Sequence, residues 1–175
     1  MQAAFHGEAA LAAWGRIAGA VHAEGGCFMP QLWHAGLLRP PASDHPQIPN
    51  PQLAPAGPSG WAEPLAHTTG WVTPITEAAQ IGEPLTQEEI VDIADSFAEA
   101  ALEAQRLGCD GVNMHGAHGY IIDQFFWSRT NRRDDHYGGD PQRRTCFATE
   151  LIRAVRERVG PDFPIFFRWS ESAAC

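Results

Sequence analysis

The sequence predicts an α/β fold built on parallel strands. Helical and apolar extended segments alternate in the order helix, strand, loop, helix, strand, helix, strand. Such alternation is typical of β-α-β units, in which the strands lie parallel. Polar residues follow each predicted strand, at the end where ligands bind in both open α/β sheets and (β/α)8 barrels. The pattern alone leaves these two architectures open.

The first helix is predicted over Glu8 to Glu24, because apolar residues recur there at three- and four-residue spacing. The pair Gly25-Gly26 ends it. The apolar run from Cys27 to Trp33 then predicts a buried strand. Pro30 is awkward in a central strand, since it has no backbone N–H to donate.

A long loop is predicted from Gly36 to Pro84, where Pro, Gly, Ser and Asn dominate. Loops of this length are usually functional or disordered. A linker between two domains is one interpretation. We favour an excursion over a pocket, because apolar residues are interspersed in the loop. They are Trp61, Leu65, Trp71, Val72 and Ile75.

The second helix begins with a capping box, Thr86 followed three residues later by Glu89, and is predicted to run to about Leu107. Gly108 ends it. A short strand, Gly111 to His115, follows directly.

The last third of the chain begins with a brief apolar turn and a polar stretch from Ser128 to Asp140. Pro141 to Val159 then predicts one helix, with Phe147 and Leu151 among its inward residues. Pro164 to Trp169 predicts the third strand.

Composition excludes several functional classes. Twelve basic and 21 acidic residues give a formal charge of -9, whereas a nucleic-acid partner requires a basic surface. No apolar run is long enough to cross a membrane, and the first residues do not resemble a secretory signal. The four cysteines form no C-x-x-C pair, so we expect a reducing, cytoplasmic environment.

Candidate site residues end the three strands: Gln31 and His34, then His115 and His118, then Arg168. Each of them alone has an ordinary structural interpretation, as a hydrogen-bonded strand-end residue or an ion-pair partner. Two imidazoles three residues apart are one candidate metal site, but no H-E-x-x-H motif or third ligand accompanies them. The alternative is a pair of donors to a carbonyl or an enolate oxygen.

Tyr120 follows the two histidines closely enough to act with them. A phenol keeps its proton at neutral pH and can act as a general acid. A half-buried aromatic residue without a catalytic role is an equally good interpretation of this position.

Four segments carry motifs at the predicted strand ends and in the polar stretch. Residues 31–36 fit Q-L-W-H-x-G, and residues 115–126 resemble H-x-A-[HN]-G-Y…Q-F-L. Residues 131–139 fit N-x-R-x-D-x-Y-G-G, and Arg168 with Ser170 fits R-x-S. Together these motifs resemble those of the Old Yellow Enzyme family of NADH:flavin oxidoreductases. The resemblance extends from about Leu11 to Ser170 and depends on four motifs in the right order.

The resemblance implies a (β/α)8 barrel that binds FMN and reduces activated C=C bonds of α,β-unsaturated carbonyl compounds with NAD(P)H. Gln31, His115 and Arg168 would contact the cofactor. His115 and His118 would hold an enone-like substrate, with Trp33 in the pocket wall. Tyr120 would be the proton donor, and no metal is implied.

The resemblance also implies that residues 1–175 are the central part of one FMN-binding barrel domain, incomplete at both ends. A (β/α)8 barrel needs about 250 residues, so we expect roughly strands three to five, their helices and a long loop after strand three. We expect such an open arc to bind FMN poorly and to aggregate.

Three further questions stay open on sequence alone. An inactive truncated remnant and a metal-dependent hydrolase on a similar barrel are the alternatives to an active reductase. Homo-oligomerisation of the parent enzyme is also left open.

Overall fold

The computed structural model describes residues 5–39, 53–64 and 75–169. Its elements, in chain order, are α1 (Glu8–Ala23), β1 (Gln31–Leu32), a short 3-10 helix (Gly36–Leu38), β2 (Trp61–Ala62), β3 (Ala79–Gln80), α2 (Gln87–Arg106), β4 (Val112–Gly116), α3 (Ile121–Phe126), α4 (Pro141–Arg144), α5 (Cys146–Val159) and β5 (Ile165–Trp169).

A parallel sheet in the order β1-β4-β5 organises these elements. Helix α2 lies between β1 and β4 in sequence, and α5 lies between β4 and β5, so both connections are of the predicted strand–helix–strand kind. The parallel α/β expectation is therefore confirmed.

The core lies on the face of the sheet that α2 and α5 cover. Val112 and Met114 of β4 are fully buried there, together with apolar residues of both helices. Phe166 of β5 is in register with Asn113, so its side chain points to the other face of the sheet, and it is 51% exposed. Residues of one strand point alternately to the two faces of a sheet. The second face of this sheet is therefore open around Phe166 among the described residues, although His115 on the same face is buried.

Helix α2 begins as predicted. The Thr86 hydroxyl accepts a hydrogen bond from the Glu89 N–H, and the Glu89 carboxylate accepts one from the Thr86 N–H. Its apolar stripe, with Ile90 and Phe97, is buried, whereas Ile93 on the same stripe is only half-buried. Gly108, with φ of 79°, ends it in the left-handed conformation that favours glycine.

The first strand is shorter than predicted, with only two residues in place of the run from Cys27 to Trp33. Asp110 N donates to Phe28 O and Asn113 N donates to Pro30 O, so the segment still lies beside the sheet. Pro30 has no N–H to complete the ladder, which gives the physical reason for the short strand.

One predicted turn and one predicted helix differ from the structure. The apolar segment before Ser128, predicted as a turn, is the helix α3. The predicted single helix Pro141 to Val159 is divided at Thr145, whose N–H and hydroxyl both bond to the Gln142 carbonyl in a tighter turn.

Helix α1 has the predicted length but buries little. Only Ala18 is buried, and Ile17 is 44% exposed. The helix is fixed at its end by Asp110, whose carboxylate accepts hydrogen bonds from His22 Nε2 at 2.8 Å and Phe28 N at 2.6 Å. These two hydrogen bonds lower the pKa of Asp110.

The long predicted loop contains some regular structure. It begins with the 3-10 helix and includes the antiparallel pair β2–β3. Three residues expected over the pocket, Leu65, Trp71 and Val72, lie outside the described residues, as does Ser170. Within the described ranges, no helix is long and apolar enough to span a membrane.

Candidate active site

The candidate site is assembled where β4 and β5 end. His115 of β4 lies in register with Arg168 of β5. His118 follows β4 by two residues, and the Arg168 guanidinium nitrogen is 3.2 Å from His118 Nε2. The parallel register therefore brings three predicted site residues together.

A tight loop carries His118 and Tyr120 from the end of β4 into α3. His118 has a φ of 59°, in the left-handed region that non-glycine residues rarely adopt. Gly119 has a φ of 76°, and its N–H donates to the buried Asp123 carboxylate at 2.8 Å. Strain of this kind persists only where the surrounding structure fixes it.

The aromatic side chains of the site form one continuous cluster. The ring of Tyr120 lies 4.5 Å from the ring of Trp33 and 5.0 Å from that of His115, measured between centroids. The His115 and His118 rings meet edge to face at 5.0 Å. The phenol and both imidazoles can therefore contact one small ligand.

His115 is a neutral imidazole held in a buried position. The residue is 4% exposed, and its Nδ1 is buried with no hydrogen-bond partner among the described residues. Burial, followed by the charges of His118 and Arg168, lowers the pKa of His115 to about 4. At neutral pH the ring is therefore neutral and has an unsatisfied polar atom, which a bound ligand would satisfy.

Arg168 determines the tautomer of its neighbour. A guanidinium only donates, so His118 Nε2 accepts from Arg168 in this arrangement. A neutral His118 then carries its proton on Nδ1, which remains available to a ligand. The contact also disfavours a metal ion at His118, because the nitrogen's lone pair accepts a hydrogen bond from Arg168 and the guanidinium charge repels a cation.

Two predicted strand-end residues are not in this cluster. Gln31 is exposed and in register with Asn113, two residues before His115 along the sheet. His34 Nδ1 accepts from Gly36 N at 3.1 Å, so this ring is directed to its own loop. Gln31 belongs with Asn113 and Phe166 on the open face, where Asn113 Oδ1 is buried without a partner among the described residues.

Metal binding finds no support in the described ranges, which contain no group of three or more His, Cys, Asp and Glu side chains able to hold an ion.

Two buried polar residues were missed as site residues. Asp123 and Gln124 are 4% and 3% exposed, inside the otherwise apolar α3. Burial raises the pKa of Asp123, while the Gly119 N–H and His118 act in the opposite direction. Polar residues inside an apolar run were the available signal, because a buried polar residue is more informative than an exposed apolar one.

The third motif has a structural role beside the site. Arg133 forms two hydrogen bonds with Asp135 and also donates to the carbonyls of Pro58 and Leu85. It thereby connects residues 57–64 to the start of α2. The Arg133 guanidinium lowers the pKa of Asp135 to about 2.

Asp135→Asn should lower the free energy of unfolding by about 2 kcal/mol above pH 4. The folded pKa lies below the unfolded one, so this contribution is present above about pH 4 and is lost as the pH falls towards 2. Urea unfolding of the variant and the wild type at pH 6 and pH 2.5 measures it. Asp134→Asn, at the exposed neighbouring position, is the control. A difference independent of pH would contradict the ion-pair assignment.

Comparison with known proteins identifies the family of this chain. The sequence pattern of the NADH:flavin oxidoreductase / NADH oxidase family matches residues 1–175. A 12-oxophytodienoate reductase 2 of Arabidopsis thaliana is 40% identical over 86% of this chain and 38% of its own length. An NADH oxidase of Thermoanaerobacter brockii is 38% identical over 91% of this chain and 22% of its own. The chain thus spans less than half the length of these relatives.

Solved structures give the same result. An Old Yellow Enzyme homologue from Zymomonas mobilis superimposes with a TM-score of 0.74 at 32% identity, covering 94% of this chain and 43% of that one. Morphinone reductase in complex with tetrahydroNAD gives a TM-score of 0.75 at 32% identity, covering 94% and 45%. The family is one of flavin-dependent oxidoreductases, which agrees with the expected FMN and nicotinamide reductant. The chain belongs to the NADH:flavin oxidoreductase / NADH oxidase family, the family of Old Yellow Enzyme.

Proposed function

We propose that this chain provides the substrate-holding part of an FMN-dependent oxidoreductase that reduces activated C=C bonds of α,β-unsaturated carbonyl compounds with NAD(P)H. The observation that carries the proposal is the cluster of four side chains, His115, His118, Tyr120 and Arg168. Within the part of the chain that the structure describes, the buried Nδ1 of His115 has no hydrogen-bond partner. Relatives whose names denote an oxo compound and a ketone support this substrate class.

The architecture we propose is a partial (β/α)8 barrel. Strands β1, β4 and β5 would be its third to fifth strands, in the centre of a single FMN-binding domain. Support comes from their parallel order, from the connecting helices α2 and α5, and from the 43% and 45% of the solved neighbours' chains that this chain covers. The exposed Phe166 would face the barrel interior.

The open face of the sheet suits a flavin. Gln31 offers an exposed amide and Arg168 an exposed cation. His115 adds a buried nitrogen that has no partner among the described residues. The flavin ring is planar and has polar atoms along one edge, so hydrogen-bond donors along that edge would hold it. A cation there would stabilise the anionic reduced flavin. FMN bound there would supply the hydride for the β-carbon of the substrate.

Polarisation of the substrate carbonyl falls to the two histidines. Neutral His115 and the Nδ1–H of His118 would donate to the carbonyl oxygen, where negative charge develops as the β-carbon accepts the hydride. Such donors need no reorganisation during the reaction, because the strained loop and the Arg168 contact already hold them. Tyr120 would then give its phenol proton to the α-carbon, and Trp33 would hold the substrate against that phenol.

The surroundings of the reaction are part of the proposal. The partner is a small molecule, and neither nucleic acid nor a membrane is involved. We propose the cytoplasm as its location, which the free Cys27, Cys109 and Cys146 support.

The test is the His118→Ala variant. FMN is titrated to saturation, because we expect an open arc of three strands to bind it weakly. We expect unchanged FMN fluorescence quenching and a loss of about 10²-fold in kcat/KM for 2-cyclohexenone with NADPH. His136→Ala is the matched control, since His136 pairs with Glu150 away from the site. A wild type that never quenches FMN fluorescence supports the inactive-remnant alternative. Hydrolytic activity that depends on bound zinc supports the alternative of a metal-dependent hydrolase.

A further inference from the structure

Gln124 connects the loops that follow two neighbouring strands. It is 3% exposed, and its Oε1 accepts from Leu37 N at 3.1 Å in the loop after β1. Its Nε2 donates to Gly119 O at 2.6 Å, in the loop after β4, and to Ala35 O at 3.4 Å. One buried amide therefore binds backbone groups of both loops.

The same junction is reinforced by backbone contacts. Ile121 N at the start of α3 donates to His34 O at 3.1 Å, and Gln124 N donates to Tyr120 O at 2.8 Å. Gly119 N also donates a hydrogen bond to the Asp123 carboxylate. Tyr120 lies between the contacts at Gly119 and Ile121, and His118 directly precedes Gly119. These are the two groups that act on substrate in the proposed function.

The fit around Gln124 leaves no room for extra atoms. A Cβ added at Gly36 would lie 2.3 Å from Gln124 Oε1, and one at Gly57 would lie 3.0 Å from the same atom. Gly36 also has a φ of 58°, so glycine satisfies both the backbone and the space there. Three separate segments of the chain therefore meet on this side chain.

We propose that Gln124 is a positioning residue of the active site: it fixes the distance between the loops after β1 and β4, and thereby holds Tyr120 against Trp33. It touches neither substrate nor cofactor and acts through the Gly119 carbonyl. The inference about catalysis rests on the proposed function, whereas the coupling of the two loops does not.

The first experiment measures amide hydrogen exchange in Gln124→Leu. Loss of the buried amide should speed exchange about tenfold in residues 35–39 and in residues 118–121, because a broken buried hydrogen bond shifts local opening by that factor. Residues 94–104 of α2 should keep wild-type protection. Gln105→Leu, which removes a different glutamine amide bond to Val159 O, is the matched control and should leave both loops unchanged.

A second variant, Gln124→Glu, separates hydrogen bonding from packing. A protonated carboxylic acid can donate to Gly119 O, whereas the carboxylate cannot. Burial raises the pKa of a carboxyl group, so lowering the pH from 8 to 5 should restore loop protection relative to the wild type at each pH. Equal protection at both pH values would overturn the proposal. If Gln124→Leu unfolds as a whole, the result with Gln124→Glu decides the proposal instead.

Enone kinetics at saturating FMN complete the test. We expect Gln124→Leu to lower kcat for 2-cyclohexenone about tenfold with little change in FMN affinity, and Gln124→Glu to recover as the pH falls. Unchanged loop exchange overturns the coupling whatever the activity. If the wild type has no enone activity, the proposed function fails while the exchange data still decide the coupling.

Discussion

Replacing Tyr120 by phenylalanine should lower the turnover of 2-cyclohexenone about 10²- to 10⁴-fold, the usual contribution of a positioned general acid. The change removes one oxygen and keeps the ring that contacts Trp33 and His115 at 4.5 and 5.0 Å. Packing in the site should therefore be preserved. What is lost is the proton that the α-carbon needs once the β-carbon has accepted hydride.

Dioxygen as electron acceptor provides the internal control, because its reduction requires no proton transfer to carbon. NADPH oxidation by Tyr120→Phe with dioxygen should match the wild type. The chain has one other tyrosine, Tyr137, whose hydroxyl donates to Glu150 on another side of the molecule. Tyr137→Phe should keep enone turnover. An equal loss with both acceptors in Tyr120→Phe would show that the tyrosine supports the fold and is not the proton donor.

The residues that we propose contact ligand were the most predictable part of the site. His115 and Arg168 end strands whose register is set by the parallel sheet, so their proximity follows once the strands are recognised. His118 and Tyr120 lie within five residues of His115, and a tight loop cannot carry them far away. Local spacing and strand order were sufficient for this cluster.

The contact between Arg168 and His118 was not predictable in the same way. The family resemblance implies a cofactor contact for Arg168 and a substrate contact for His118, yet the two side chains meet at 3.2 Å. His118 lies in the left-handed region, which histidine enters only occasionally, and its sequence neighbours do not indicate that it does so here. Side-chain conformation in a strained loop depends on tertiary contacts.

Helix α3 illustrates a second limit. Six residues are too few to show helical periodicity, and a short apolar run does not distinguish helix from strand or turn. Its stability comes from packing and from caps provided elsewhere in the chain. Arg144 Nε donates to Phe126 O, and Asn131 Nδ2 donates to Phe125 O at the end of the helix. Neither contact can be seen in the residues of α3 alone.

Phe125→Ala should therefore lower the free energy of unfolding by about 3–5 kcal/mol, the usual cost of removing a fully buried aromatic side chain. The Phe125 ring is 0% exposed and lies 4.4 Å from the ring of Phe147 in α5 and 6.2 Å from that of Tyr137. Loss of the ring leaves a cavity between α3 and α5. Urea unfolding followed by circular dichroism measures the change.

The neighbouring Phe126 makes a matched comparison, because it is only half-buried and its ring lies 6.3 Å from that of Phe167. Phe126→Ala should cost less than half as much, since less apolar surface is removed from contact. A small domain has only about 5–15 kcal/mol of net stability, so Phe125→Ala should also loosen the loops that Gln124 holds. Equal costs for the two variants would show that α3 does not use Phe125 as its main contact with the core.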